Sequence, residues 1–168
     1  MKKIISLSTA LVCMLSVSTG CGSKKEDFVG KWECNEVFMN GETTDDVFGA
    51  PAYSLFRIEL DKDSSGTFDS FLLSGLTKDG KPLDMSWKKS DKNSVDCKIT
   101  DNVGLNDEPP TYTFTMDDDK LILDMSEDTY EFKAYLKRVD EFTPIPDDTS
   151  MHINANLSYE ASYDLNKK

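Results

Sequence analysis

The chain has 168 residues, with 31 acidic and 19 basic side chains, a formal net charge of −12 and one histidine. So acidic a surface is repelled by phosphate backbones and anionic headgroups, which makes nucleic acid a poor partner and leaves solubility as the use of the charge. The lone His152 provides no histidine pair for zinc, and it would have to bring any Ser-His-Asp or Cys-His constellation in from the far end of the chain.

Lys2 and Lys3 precede a mostly apolar run from Ile4 to Val17, which several serines and threonines interrupt. A span needs about 20 predominantly apolar residues, so this run reads as the core of a signal peptide covering residues 1–20. Ser18, Thr19 and Gly20 then lead into Cys21. Small residues followed directly by a cysteine resemble the lipobox of bacterial lipoproteins, although Ser18 stands where that family favours an aliphatic residue. The resemblance implies cleavage before Cys21, diacylglycerol on its sulfur, and a lipid anchor on the extracytoplasmic face of the cell membrane. Plain secretory cleavage at the same bond is the alternative. Two acyl chains, at about 0.8 kcal/mol per buried methylene, hold a protein on a bilayer stably. With Lys2 and Lys3 gone, the chain from Cys21 carries 17 basic and 31 acidic residues, a net charge of −14. Residues 21–27 read as the lipidated cysteine and a short linker, whose six residues from Gly22 reach no more than roughly 20 Å.

From Phe28 onward period two dominates, and no stretch shows a convincing helical period. Trp32 and Cys34 alternate with polar neighbours, and Ser54, Phe56, Ile58 and Leu60 follow. Gly66 to Leu73 is a third candidate whose inward face is ambiguous, since Phe68, Phe71, Leu72 and Leu73 do not alternate. Five cleaner runs complete the set: Leu83, Met85, Trp87; Val95, Cys97, Ile99; Tyr112, Phe114, Met116; Leu121, Leu123, Met125; and Tyr130, Phe132, Ala134, Leu136. Short polar connectors such as Lys78-Asp79-Gly80 and Asp117-Asp118-Asp119 suit hairpin turns, so the strands should pair in sequence order. Met39 to Pro51 and Asp101 to Pro110 are longer, and Pro109-Pro110 forbids a ladder at that point. Eight antiparallel strands hide their edges best by closing into a barrel. The predicted fold is therefore all-β, an eight- to nine-stranded up-and-down meander over residues 28–139.

Gly30-Lys31-Trp32 at the head of the first strand, with Arg138 at the end of the eighth, resembles the lipocalin pattern, and more particularly the short lipocalin-like domains of bacterial lipoproteins. The resemblance implies that Gly30, Trp32 and Arg138 are structural, the arginine stacking on the indole to close one end of the barrel. It also implies that the loop from Met39 to Pro51 is a lid over the open end, at the rim of a pocket for a small apolar ligand or lipid. No cofactor is implied.

Asp61-Lys62-Asp63-Ser64-Ser65-Gly66 echoes the start of a calcium loop, but Leu72 occupies the twelfth position, where a bidentate Glu belongs, so a hairpin turn is the better reading. No metal site is assigned. No G-x-S-x-G occurs, and acidic residues are too plentiful for spacing to single out a glycosidase pair, so no catalytic residue is assigned either. Cys34 and Cys97, both pointing inward, form either an exported disulfide or two buried thiols; a bridge between the first and fifth strands would require a flattened barrel. Residues 140–168 form a tail in which every second residue from Met151 to Leu165 is apolar or small. It reads as an extra strand, a mobile tail, or an edge that pairs with another protein. Two functions fit. The barrel either binds a small apolar molecule at the membrane surface or, if its bulky inward set (Trp32, Phe56, Trp87, Tyr112, Phe114, Tyr130, Phe132) fills it, presents its outside to another protein of the cell envelope.

Overall fold

Where apolar and polar residues alternate, the backbone is extended, and the computed structural model, which describes residues 22–71, 81–101 and 109–146, joins those segments into one sheet. The strands in chain order are β1 (Gly30–Met39), β2 (Glu42–Thr44), β3 (Asp46–Val47), β4 (Ala50–Pro51), β5 (Arg57–Leu60), β6 (Ser65–Asp69), β7 (Leu83–Asp91), β8 (Ser94–Ile99), β9 (Thr111–Asp117), β10 (Lys120–Asp124) and β11 (Phe132–Val139). From β5 to β11 each pairs antiparallel with the next; β1 pairs with β5 on one side and β11 on the other, which closes an eight-stranded barrel. The closing seam runs from Lys31 opposite Val139 to Met39 opposite Phe132.

A one-residue irregularity between Cys34 and Glu36 lets β1 serve two neighbours. Below it, residues 30–33 pair with β5, and above it residues 37–39 pair with β2, so the bulge re-aims the strand and keeps Val37 in the core after Cys34. The ninth strand of the sheet is thus β2, inside the segment read as a lid. Asn40 and Gly41, both at positive φ, make the two-residue turn from β1 to β2, and Phe48 and Gly49, also both positive, join β3 to β4.

Inside, the alternation places Trp32, Ile58, Leu60, Met85, Trp87, Phe114, Leu121 and Leu136 in one buried cluster. Several expectations need correction. Ser54 is not in a strand: residues 52–54 form a 3₁₀ turn, in which the Ser54 hydroxyl donates to the Pro51 carbonyl, and β5 starts at Arg57. The third predicted strand ends at Asp69, with Phe71 beyond it, while Leu72 and Leu73 lie outside the described residues. Tyr130 does not point inward. β11 begins only at Phe132, and Tyr130 sits in the preceding turn, 41% exposed. Cys34 and Cys97 are both free and fully buried, because β1 and β8 stand four strands apart in either direction around the ring. The signal peptide, Cys21, the alternating tail and His152 lie outside the described residues.

Candidate functional site

The barrel's two ends differ in chemistry. One end, the base, collects the start of β1, the end of β11 and the turns β5–β6, β7–β8 and β9–β10. Here the indole of Trp32, held by its Nε1 donating to the Phe28 carbonyl at 2.8 Å, lies under the Arg138 guanidinium, whose carbon is 4.3 Å from the ring centroid. The same guanidinium donates to the carbonyls of Asp27 and Val29. Gly30 is required beside it, for its φ is +131° and a Cβ there would come within 2.7 Å of Arg138 Nη1. Gly30, Trp32 and Arg138 therefore meet as one cap of stacked cation and ring.

Residues 22–28 are part of this cap and not a free linker. The Ser23 amide donates to Asn93 Oδ1 at 3.1 Å, and the Lys25 ammonium bonds Ser64 and lies 5.0 Å from the centroid of Trp87. Residues 25–27 turn once as a 3₁₀ segment, and Phe28 is fully buried. No sequence period announces this, because the segment packs by single contacts. Two hollows flank the base: one of about 410 Å³ is lined by Asp27, Asp118, Asp119, Lys137 and Arg138 among others, and one of about 490 Å³ by Glu59, Asp61, Lys62 and Asp63 among others. So many charges make either a poor home for an apolar molecule. The calcium-like stretch is here the β5–β6 turn: Ser65 donates from its amide and hydroxyl to Asp63, and these bonds hold the Asp63 carboxyl below its usual range.

The opposite end, the mouth, is apolar at its centre. Phe132 on β11 meets Phe56 edge to face (centroids 6.2 Å), Phe56 meets Phe68 in the same way (6.3 Å), and Phe68 stacks flat on Tyr112 (5.1 Å, 5° between planes). Phe68 and Tyr112 stand three strands apart, so this chain of four rings crosses the lumen from β11 to β9 and floors the mouth. Burial raises the Tyr112 hydroxyl pKa above its ordinary value. Met39, Met125, Tyr112 and Phe132 are only partly buried against the core, while Val47 and Ala50 of the β3–β4 hairpin are buried. The predicted lid thus folds as β2 and a small hairpin. Its rim is acidic, with exposed Glu42, Asp45 and Asp46, joined by Glu127, Asp128 and Glu131 from the turn before β11. The base is acidic as well, since exposed Asp61, Asp63, Asp91, Asp117, Asp118 and Asp119 outnumber exposed Lys24, Lys62, Lys89 and Lys92.

A third feature escaped the alternation rule. Glu33 and Arg57, directly paired across β1 and β5, should face solvent but are 1% and 7% exposed. The segment after β11 covers them. The Thr143 amide and hydroxyl donate to the Glu33 carboxylate at 2.6 and 2.8 Å; Arg57 Nε lies 4.0 Å from that carboxylate and donates to the Tyr53 carbonyl at 2.8 Å. Phe142 adds its ring 5.7 Å from the Arg57 guanidinium carbon. The pin fixes the start of the C-terminal segment to the outer wall.

Among the described residues no group of three or more His, Cys, Asp or Glu side chains is placed to hold a metal ion. Desolvation pushes the Cys34 and Cys97 thiols up to about 12, which suits packing and not nucleophilic chemistry. No protein-family model matches this chain, and no curated protein matches it either.

Proposed function

We propose that this protein is a non-catalytic, lipid-anchored lipocalin-like barrel of the extracytoplasmic membrane face that takes a small apolar ligand at its mouth. The observation that carries the reading is the aromatic floor. Four rings span the lumen, two of them, Tyr112 and Phe132, partly exposed, and with Met39 and Met125 at the edge they form an apolar surface of shallow depth. Eight strands enclose space that side chains can fill or that can hold one small ligand, and this barrel fills the lower part with Trp32, Trp87 and Phe114. A ligand therefore lies on the rings and under the lid. Lipidation at Cys21 follows from the resemblance of residues 18–21 to a lipobox. Native mass spectrometry of protein isolated from its own membranes tests the reading. A co-purifying small molecule is the expected result, and its repeated absence overturns it.

A second reading has one observation of its own. Phe48 and Tyr130, the exposed large hydrophobics among the described residues, are 40% and 41% exposed, and both belong to loops at the mouth. Contact with another envelope protein at that rim would use them directly.

A further inference from the structure

We infer that the barrel is held upright on its membrane, base toward the bilayer and mouth away from it, because the chain leaves no slack between the anchor and the fold. The inference rests on the lipid-anchor reading and adds an orientation to it. Gly22, the residue covalently next to Cys21, is already against the barrel: a Cβ there would collide with Lys92 and come within 2.6 Å of the Lys92 carbonyl oxygen. Ser23 is tied to Asn93, Lys25 to Ser64 and Trp87, and the Asp27 and Val29 carbonyls to Arg138. A free six-residue tether would let the barrel sample orientations over roughly 20 Å. Residues 22–28 instead bring the anchor to the β7–β8 turn.

The strands then set the height of the mouth. β7 spans Leu83–Asp91, and at about 3.3 Å per residue and a tilt of about 40° it separates the ends by about 20 Å, more than a Debye length of about 8 Å. Among the described residues both ends expose more acids than lysines, with Asp61, Asp63, Asp91 and Asp117 to Asp119 at the base and Glu42, Asp45 and Asp128 at the mouth, so the contacts of residues 22–28, and not charge, set the pose. An upright barrel offers its aromatic floor to molecules arriving from outside the anchoring bilayer and not to that bilayer's own lipids.

Energy transfer tests this on the mature lipidated protein isolated from membranes and reconstituted in phosphatidylcholine vesicles that contain phosphatidylglycerol and a rhodamine-headgroup lipid acceptor. A donor is attached at Lys62→Cys on the base or at Asp128→Cys at the mouth, both exposed, while Cys34 and Cys97 are buried and unreactive. Upright anchoring predicts transfer from Lys62→Cys roughly twofold or more above that from Asp128→Cys, as a 20 Å height difference requires. Inserting a Gly-Ser tether between Ser23 and Lys24 should collapse the difference while the circular dichroism spectrum stays unchanged. Equal or reversed transfer in the native chain overturns the orientation, and a difference that survives the inserted tether overturns its cause. The mass of the N-terminal peptide separates the two levels: an unmodified Cys21 sinks the anchor itself, whereas a lipidated Cys21 with equal transfer sinks only the upright pose.

Discussion

Replacing Arg57 by Met tests the pin between the barrel wall and the segment after β11. Arg57 supplies the cation nearest the Glu33 carboxylate, which is 1% exposed, and it also satisfies the Tyr53 and Thr143 carbonyls. Removing one partner of a buried pair costs about 3–5 kcal/mol, since the other charge stays desolvated. Glu33 would keep its two bonds from Thr143, and the side chain of Asp69, the other acid beside Arg57 at 3.9 Å, is 36% exposed and can rehydrate, so a loss of about 3 kcal/mol is expected. Urea unfolding followed by the fluorescence of the buried Trp32 and Trp87 reads it. With a slope of about 1.5 kcal/mol per molar urea, the midpoint should fall by about 2 M. Combining Arg57→Met with Glu33→Leu removes the stranded charge, and the pair should cost about 2 kcal/mol less than the two single losses added. A loss below about 1 kcal/mol for Arg57→Met, or strict additivity in the double variant, would refute the pin.

Other consequences follow from single sites. Gly30→Ala puts a Cβ against Arg138 at a φ of +131°, and it should cost about 2 kcal/mol in the same urea assay. Phe48 has φ +56° in a two-residue turn that favours Asn, so Phe48→Asn should gain about 1 kcal/mol of stability and leave the circular dichroism spectrum unchanged. Cys34 and Cys97 should resist iodoacetamide in the folded protein and react once it is unfolded. Because their folded pKa values of about 12 exceed the ordinary 9.0, their contribution is fully present below pH 9 and is lost as the pH rises toward 12. The loss is about 1.4 kcal/mol per pH unit for each thiol, and urea midpoints of Cys34→Ala and Cys97→Ala should show a correspondingly shallower alkaline decline.

The barrel was legible where alternation was local and uninterrupted. Leu83, Met85 and Trp87 on β7, Val95, Cys97 and Ile99 on β8, and Leu121 and Leu123 on β10 all face inward as their period requires. Reading failed where another force set the direction. The bulge after Cys34 resets the period of β1, and Tyr130 extends an alternating run past the point where β11 begins. Asn40-Gly41 carried the signal of a tight hairpin, yet the segment around it reads as one long lid when taken by length alone. Burial of Glu33 comes from Thr143, 110 residues away, and no local pattern encodes it. The mouth shows the same division. Phe56, Tyr112 and Phe132 read as inward, but that they meet Phe68 in a chain across the lumen depends on the strand register and the closure between β1 and β11.

The claim that the mouth is the apolar site is tested most directly by amide chemical shifts. Decanol titrated into isotopically labelled protein should shift Met39, Tyr112, Met125 and Phe132 along a saturating curve and leave Gly30, Trp32 and Arg138 in place. Saturable shifts confined to the Trp32–Arg138 end, or none at the aromatic floor, would contradict it.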